Sequence, residues 1–182
     1  DLTTSEDGST TRLSLWRWTL DAGEPMPSPT EVLAYDFDNG GATISPSGYL
    51  ALNPSSSEVA FGYTEVDGDG FPGRVVVVRL EDDAVASAEG PGNFDAVWVG
   101  DDILLVNGLG LGEAGGPVVD ARRRGDEDVF PKRVLTLDAA AFGGSGSVAL
   151  AEEYVLVGWL DEAFAPVVRA FDRSRVANAA EE

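Results

Sequence analysis

Short apolar runs alternate with glycine-rich and charged turns along most of the chain, and helical periodicity is nearly missing. Runs of this length that alternate apolar and polar positions indicate strands, and close turn signals are typical of sandwiches, barrels and propellers. The pattern therefore predicts an all-β protein. The predicted strands are 12–20, 31–37, 49–53, 58–64, 74–80, 84–88, 94–99, 102–109, 117–122, 133–138, 147–151, 153–160 and 166–171.

Three strands share one design. The five-residue segments 59–63, 104–108 and 155–159 align without gaps, at spacings of 45 and 51 residues. A short β segment precedes each of them, and a hairpin then leads to a second apolar strand. Those second strands lie at 74–78, 117–121 and 166–170. A repeat of this length fits one four-stranded meander, so the sequence predicts repeated blades of a β-propeller.

One stretch resembles a known family. Residues 44–48, Ile-Ser-Pro-Ser-Gly, and the following 53–61 resemble the signature of TolB-type and WD-type propeller blades. The resemblance covers 43–88 and implies that the strand after the proline-containing turn runs toward a central channel. The later repeats keep the spacing but lack the Ser-Pro-x-Gly turn and any Trp-Asp dipeptide, which favours a generic propeller over a WD-repeat protein.

The repeat divides the chain into three parts. We expect a polar leader at 1–11, propeller-like blades at 12–176 and an acidic tail at 177–182. The blades number about three and a half, whereas closed propellers commonly have about four to eight. Two interpretations stay open: the chain is part of a larger ring, or the N-terminal strand completes a compact four-bladed ring.

Charge limits the partners. The 182 residues include 32 acids against 12 bases, for a net charge of −20, and Lys132 is the single lysine. This charge disfavours binding to nucleic acid and to anionic lipid. No run of about 18 apolar residues occurs, so direct membrane insertion is not expected.

Two residue types are missing altogether. The chain contains neither cysteine nor histidine, which excludes disulfides, thiolate metal sites, histidine bases and Ser-His-Asp triads within it. Carboxylates remain as the available catalytic groups. Paired acids near strand ends, at 101–102, 152–153 and 161–162, could serve glycoside hydrolysis if two of them converge.

One loop has the composition of a calcium site. Glu65, Asp67 and Asp69 alternate within a glycine-rich segment and resemble the first, third and fifth ligands of the calcium loop in FG-GAP propeller repeats. Gly73 stands where that loop has a carboxylate at position nine. A charged Asp-Gly hairpin turn is the competing interpretation.

Other motifs have structural interpretations. The mixed-charge run 122–128 could bind an anionic partner, although self-neutralising charges on a solvated loop explain it as well. The glycine-rich segments 107–116 and 142–147 lack the spacing of a nucleotide loop or a nucleophile elbow. The four tryptophans could stack sugars or pack between blades; they are Trp16, Trp18, Trp98 and Trp159.

These observations favour a noncatalytic propeller module that offers a protein-interaction or scaffold surface. Its partner would be another protein or the remaining blades of a ring, and an extracytoplasmic location is expected. No cofactor is expected other than Ca²⁺. The alternatives are a carboxylate-based or calcium-dependent hydrolase or lyase acting on carbohydrate, and a ligand-sensing domain of a larger receptor.

Overall fold

The computed structural model describes residues 1–18, 28–38, 42–67, 73–90, 93–109, 117–125, 132–137 and 146–181. These residues form fourteen strands and one helix. Every strand pairing among them is antiparallel, and the strands group into four separate sheets in chain order. The structure thus confirms an all-β chain of repeated meanders.

The first two sheets come from the N-terminal half. The first sheet consists of β1 (Leu2–Thr4), β2 (Thr10–Arg17) and β3 (Thr30–Asp38). The second sheet consists of β4 (Ala42–Leu52), β5 (Glu58–Asp67), β6 (Gly73–Arg79) and β7 (Val85–Gly90). In both sheets the spatial order follows the sequence.

The other two sheets and the helix follow. The third sheet consists of β8 (Asn93–Val99), β9 (Ile103–Leu109), β10 (Pro117–Arg123) and β11 (Lys132–Thr136). The fourth sheet consists of β12 (Ser147–Leu150), β13 (Tyr154–Leu160) and β14 (Pro166–Asp172). Helix α1 (Arg173–Glu181) then packs on the third and fourth sheets through Val176 and Ala180.

The sheets stack face to face like propeller blades, and buried apolar clusters fill the spaces between them. One cluster joins the first sheet to the second, another the second to the third, and another the third to the fourth. Strand β8 lies against both β4 and β12, so the first strands of three sheets are neighbours. This is how inner strands of adjacent blades meet.

A polar contact accompanies each of these three interfaces. Arg17 Nη1 donates to the Leu80 carbonyl at 2.9 Å and joins the first sheet to the second. The backbone N–H of Ser55 donates to Asp101 at 2.7 Å, and that of Val148 donates to Asp95 at 2.9 Å. Hydrogen bonds to a carboxylate are stronger than neutral ones, so these contacts help to fix how the blades sit on one another.

The structure shows three features that the sequence pattern does not predict. The polar segment 1–11 contains β1, which pairs with β2, and α1 overlaps most of the acidic segment 177–182. The predicted turn at 44–48 lies inside β4, where the register with β5 shifts between Pro46 and Leu50. Proline cannot donate to a strand ladder, so a bulge accommodates it without ending the strand.

Candidate functional site

The repeated five-residue segments present two different faces to their neighbours. Their first and third residues pack against the preceding sheet in all three repeats. The second residue points the other way: Ala60 packs on the third sheet and Leu105 on the fourth, and both are fully buried. Leu156 holds this position in the fourth sheet, so its side chain points away from the third sheet.

The next strand of each sheet repeats this arrangement. Val75, Val119 and Val168 each oppose the fourth residue of the repeated segment in their own sheet. Val75 and Val119 are 2% and 0% exposed, whereas Val168 is 66% exposed. Ala170 is exposed too, although its equivalent in the third sheet, Ala121, is buried. The fourth sheet therefore shows to solvent the positions that its two neighbours bury.

We call this surface the open face; its central residues are Ala149, Leu156, Gly158, Leu160, Val168 and Ala170. Across these three rows of cross-strand neighbours, the described residues include no charged side chain. At the centre, Ser147 Oγ packs closely over Gly158, which is buried, so a methyl group there would lie 2.7 Å from this oxygen. An uncharged surface of this kind contrasts with the net charge of −20 of the whole chain.

The first sheet also has one face turned away from the stack, and we call it the polar face. Arg12 lies at its centre, where Nη1 contacts Asp36 at 2.9 Å and Nη2 contacts Glu31 at 2.8 Å. The hydrogen bond from Arg12, followed by that from the Ser14 hydroxyl, lowers the pKa of Glu31. Hydrogen bonds to the two carboxylates raise the pKa of Arg12 in turn. The guanidinium group and the two carboxylates are therefore paired with one another on a face that is turned toward solvent.

The side chains of the predicted calcium ligands lie outside the part of the chain that the structure describes. Glu65 and Asp67 end strand β5, but their side chains lie outside what the structure describes, and so does all of Asp69. The calcium site therefore stays a prediction. Among the described residues, no three histidine, aspartate or glutamate side chains group closely enough to share a metal ion.

The basic run at 122–124 is not simply a solvated loop. Arg122 lies on β10, is 6% exposed and faces the second sheet, so the interpretation of solvated charges is wrong for this residue. Arg124 follows directly after the strand and contacts Glu58 across the gap between the sheets. The acidic part of the run, 126–128, lies outside the described residues.

The four tryptophans lie in two different environments. Trp98 and Trp159 are buried between sheets, which confirms inter-blade packing for these two, whereas Trp16 and Trp18 are exposed.

Of the acids near strand ends, Asp161 accepts hydrogen bonds from the backbone N–H groups of residues 163 and 165 and so stabilises a turn. Segments 110–116 and 138–145 lie outside the described residues.

The fold and the open face define the class: an all-β chain of stacked, propeller-like sheets with one polar and one apolar terminal face. No model of a known protein family matches the sequence, and no curated protein matches it. Within the described part of the chain, α1 has nine residues, and no helix is long and apolar enough to cross a membrane.

Proposed function

We propose that the chain is a noncatalytic β-propeller module, and that its open face docks a β-sheet of a partner protein. The exposure of Val168 carries this proposal, because the equivalent valines of the second and third sheets are buried by the next sheet. A partner sheet would bury Val168 in the same way. Burying apolar surface is the main favourable contribution to such packing.

The interior of the stack indicates what the partner presents. Each sheet that packs on a preceding sheet brings a large aromatic side chain or an indole; these residues are Phe61 and Tyr63 in the second sheet, Trp98 in the third and Trp159 in the fourth. The receiving sides supply mainly aliphatic residues, as Ala60 and Val75 do, and aromatic residues join them at Tyr35, Phe37 and Tyr49. The open face has the same mainly aliphatic character. We therefore expect a partner sheet with bulky apolar side chains, including an aromatic one.

A second copy of the chain fits the open face poorly. Two open faces would bring together only aliphatic and glycine positions, without the aromatic side chain that each interior interface contains, which leaves a poorer fit. Packing the polar face there would bury Arg12 with its two carboxylates, and removing such ion pairs from water has a large desolvation penalty. The partner is thus a different protein.

Photo-crosslinking in the cells that naturally make the protein tests this proposal. A photoreactive residue replaces Val168 on the open face, and a matched one replaces Ala34 on the polar face. We expect adducts only from position 168, mapped by mass spectrometry to a β-strand of another protein with bulky apolar residues. Adducts between two copies of this chain, or equal yields from both positions, would overturn the proposal.

A charge placed on the open face provides a second test. With the photoreactive residue moved to position 170, Val168→Asp should reduce adduct formation at least about tenfold, because a buried unpaired carboxylate opposes docking. Ala34→Asp is the matched control and should leave the yield unchanged. Both variants should keep the circular dichroism spectrum of the parent chain, since Val168 is exposed in the isolated chain. An unchanged yield with Val168→Asp would contradict docking on this face.

A further inference from the structure

A cavity of about 410 Å³ opens at one end of the interface between the second and third sheets. Its charged lining comes from both sheets; these residues are Glu58, Arg79 and Glu81 from the second sheet and Arg122 and Arg124 from the third. Small-molecule sites commonly have volumes of about 300 to 1,000 Å³ and lie between structural units. The cavity is distant from the open face, which belongs to the fourth sheet.

Three arginines line this cavity, although the whole chain has 12 bases and a net charge of −20, and one of them, Arg79, also contacts Asp82 at 3.4 Å. Arg124 is held by its backbone N–H, which donates to the Asp102 carbonyl at 2.7 Å. Among the described residues, its guanidinium contacts Glu58 Oε1 and Ser57 Oγ, each at a long distance of 3.4 Å. A ligand oxygen could therefore accept a shorter hydrogen bond from it.

Glu58 provides a hydrogen-bond acceptor at this cavity, whereas the arginines provide donors. It is 7% exposed, and its Oε2 atom has no hydrogen-bond donor among the described residues. Its position is fixed, because its backbone N–H donates to Asn53 Oδ1 at 2.9 Å. A buried carboxylate oxygen without a donor is unfavourable, so a ligand N–H or O–H group at this point would relieve that penalty.

The remaining wall of the cavity is apolar. It is formed by side chains of β6 and β7 and of the turn between them, namely Val77, Ala84, Val85 and Ala86. A ligand that fits all three parts has an anionic end for the arginines, a donor for Glu58 and an apolar group for this wall. Each part alone is common on protein surfaces, but the three together select one kind of molecule.

We propose that this cavity binds a small carboxylic acid that carries an apolar side chain and an ammonium or hydroxyl group beside its carboxylate. The carboxylate lies among Arg79, Arg122 and Arg124, because planar guanidinium groups match carboxylate geometry. The ammonium or hydroxyl group donates to Glu58 Oε2. The apolar side chain lies along Val77 and Val85.

Three matched acids test the proposal by isothermal titration calorimetry with the full chain. L-phenylalanine, L-phenyllactate and 3-phenylpropionate differ only in bearing an ammonium, a hydroxyl or a hydrogen beside the carboxylate. At least one of the first two should bind, and 3-phenylpropionate should bind at least about tenfold more weakly than it, because it leaves Glu58 Oε2 without a donor. The stronger of the first two identifies the donor. Equal binding of all three acids, or no binding of any at millimolar concentration, overturns the proposal.

Two neighbouring arginines provide a matched pair of variants. Arg124→Gln should weaken binding of the preferred acid about tenfold or more, because it removes a charged hydrogen bond to the carboxylate. Arg123→Gln makes the same charge change at an exposed residue that does not line the cavity, and it should leave binding unchanged. Equal effects of the two variants would mean nonspecific attraction and overturn the proposal. Val168→Asp should not alter acid binding, so this site and the docking face are tested separately.

Discussion

The first and fourth sheets occupy equivalent ends of the stack but show opposite surfaces to solvent. Each has three strands and one face without a neighbouring sheet among the described residues. The polar face of the first sheet carries Arg12 paired with two carboxylates, whereas the open face of the fourth sheet carries small apolar residues. Position at the end of a stack does not explain this difference, since both sheets share it.

The difference indicates which terminal sheet has an outer face suited to contact with solvent. In stacked-repeat proteins, terminal units with a polar outer surface keep the array soluble. The polar face has this character, and its charges are already paired. The open face keeps the apolar pattern of the interior sheets, so it retains the surface chemistry of a blade that has a following neighbour.

The largest expected effect comes from one pair of leucines. Leu105→Ala should lower the free energy of unfolding by about 2–5 kcal/mol, because Leu105 is fully buried against the fourth sheet. Leu156→Ala should lower it by at most about 1 kcal/mol, because this residue holds the same repeat position and none of the four described sheets packs over it. Urea unfolding of the isolated chain, with the slopes compared, measures both values. Similar losses would show that the open face is covered in the isolated chain and would break the comparison.

The next effect concerns the ion pairs of the polar face. The pKa of Glu31 is lowered in the folded chain, so its contribution to stability exists above the ordinary pKa of 4.5 and is lost as the pH falls through the lower, folded value. Arg12→Gln should therefore lower the urea midpoint at pH 7, and this difference should shrink as the solution is acidified below pH 4.5.

A matched arginine of the fourth sheet is the control for that experiment. Arg169 stacks over the Trp159 ring at 5.5 Å, a contact that does not depend on a carboxylate titrating. Arg169→Gln should change the urea midpoint by the same amount across this pH range. If the effect of Arg12→Gln also stayed constant with pH, pairing with Glu31 would not stabilise the first sheet.

The smallest effect lies in the turn between β1 and β2. Hydrogen bonds from the Ser5 and Ser9 hydroxyls lower the pKa of Asp7 to about 2. These bonds stabilise the turn above the ordinary value of 3.8 and are lost as the pH falls through about 2. An NMR titration of the Asp7 carboxyl should give a midpoint near 2, and Ser5→Ala should raise it. A midpoint near 3.8 in the parent chain would contradict this bonding.

Much of the fold is predictable because alternation along a strand is a local signal. The pattern predicts most strands around the aligned repeats within a few residues, although β4 begins at Ala42 rather than at the predicted residue 49. Strand β1 has only three residues, too few for alternation to stand out, and α1 has a polar sequence whose apolar residues give a weak helical signal. The local pattern also does not predict that strand β4 continues past Pro46 through a bulge.

The two candidate sites are less predictable. The open face could have been found from the repeat, since Leu156 and Val168 keep apolar residues at positions that face the next sheet in earlier repeats. Recognising it as exposed requires knowing that no sheet of the described residues covers it. Arg124, which lines the cavity, contacts Ser57 Oγ from 67 residues away in the chain, so sheet stacking rather than sequence spacing brings them together.

The ion pairs of Arg12 also bear on how large an assembly can become. Heterologous contacts, in which two different surfaces of a protein meet, produce open-ended filaments when they repeat head to tail, unless the geometry closes them into a ring. A chain with two apolar ends would be able to polymerise in this way. Because Arg12 and its carboxylates make one end unreceptive, the proposed docking at the other end would not propagate through this chain into a filament.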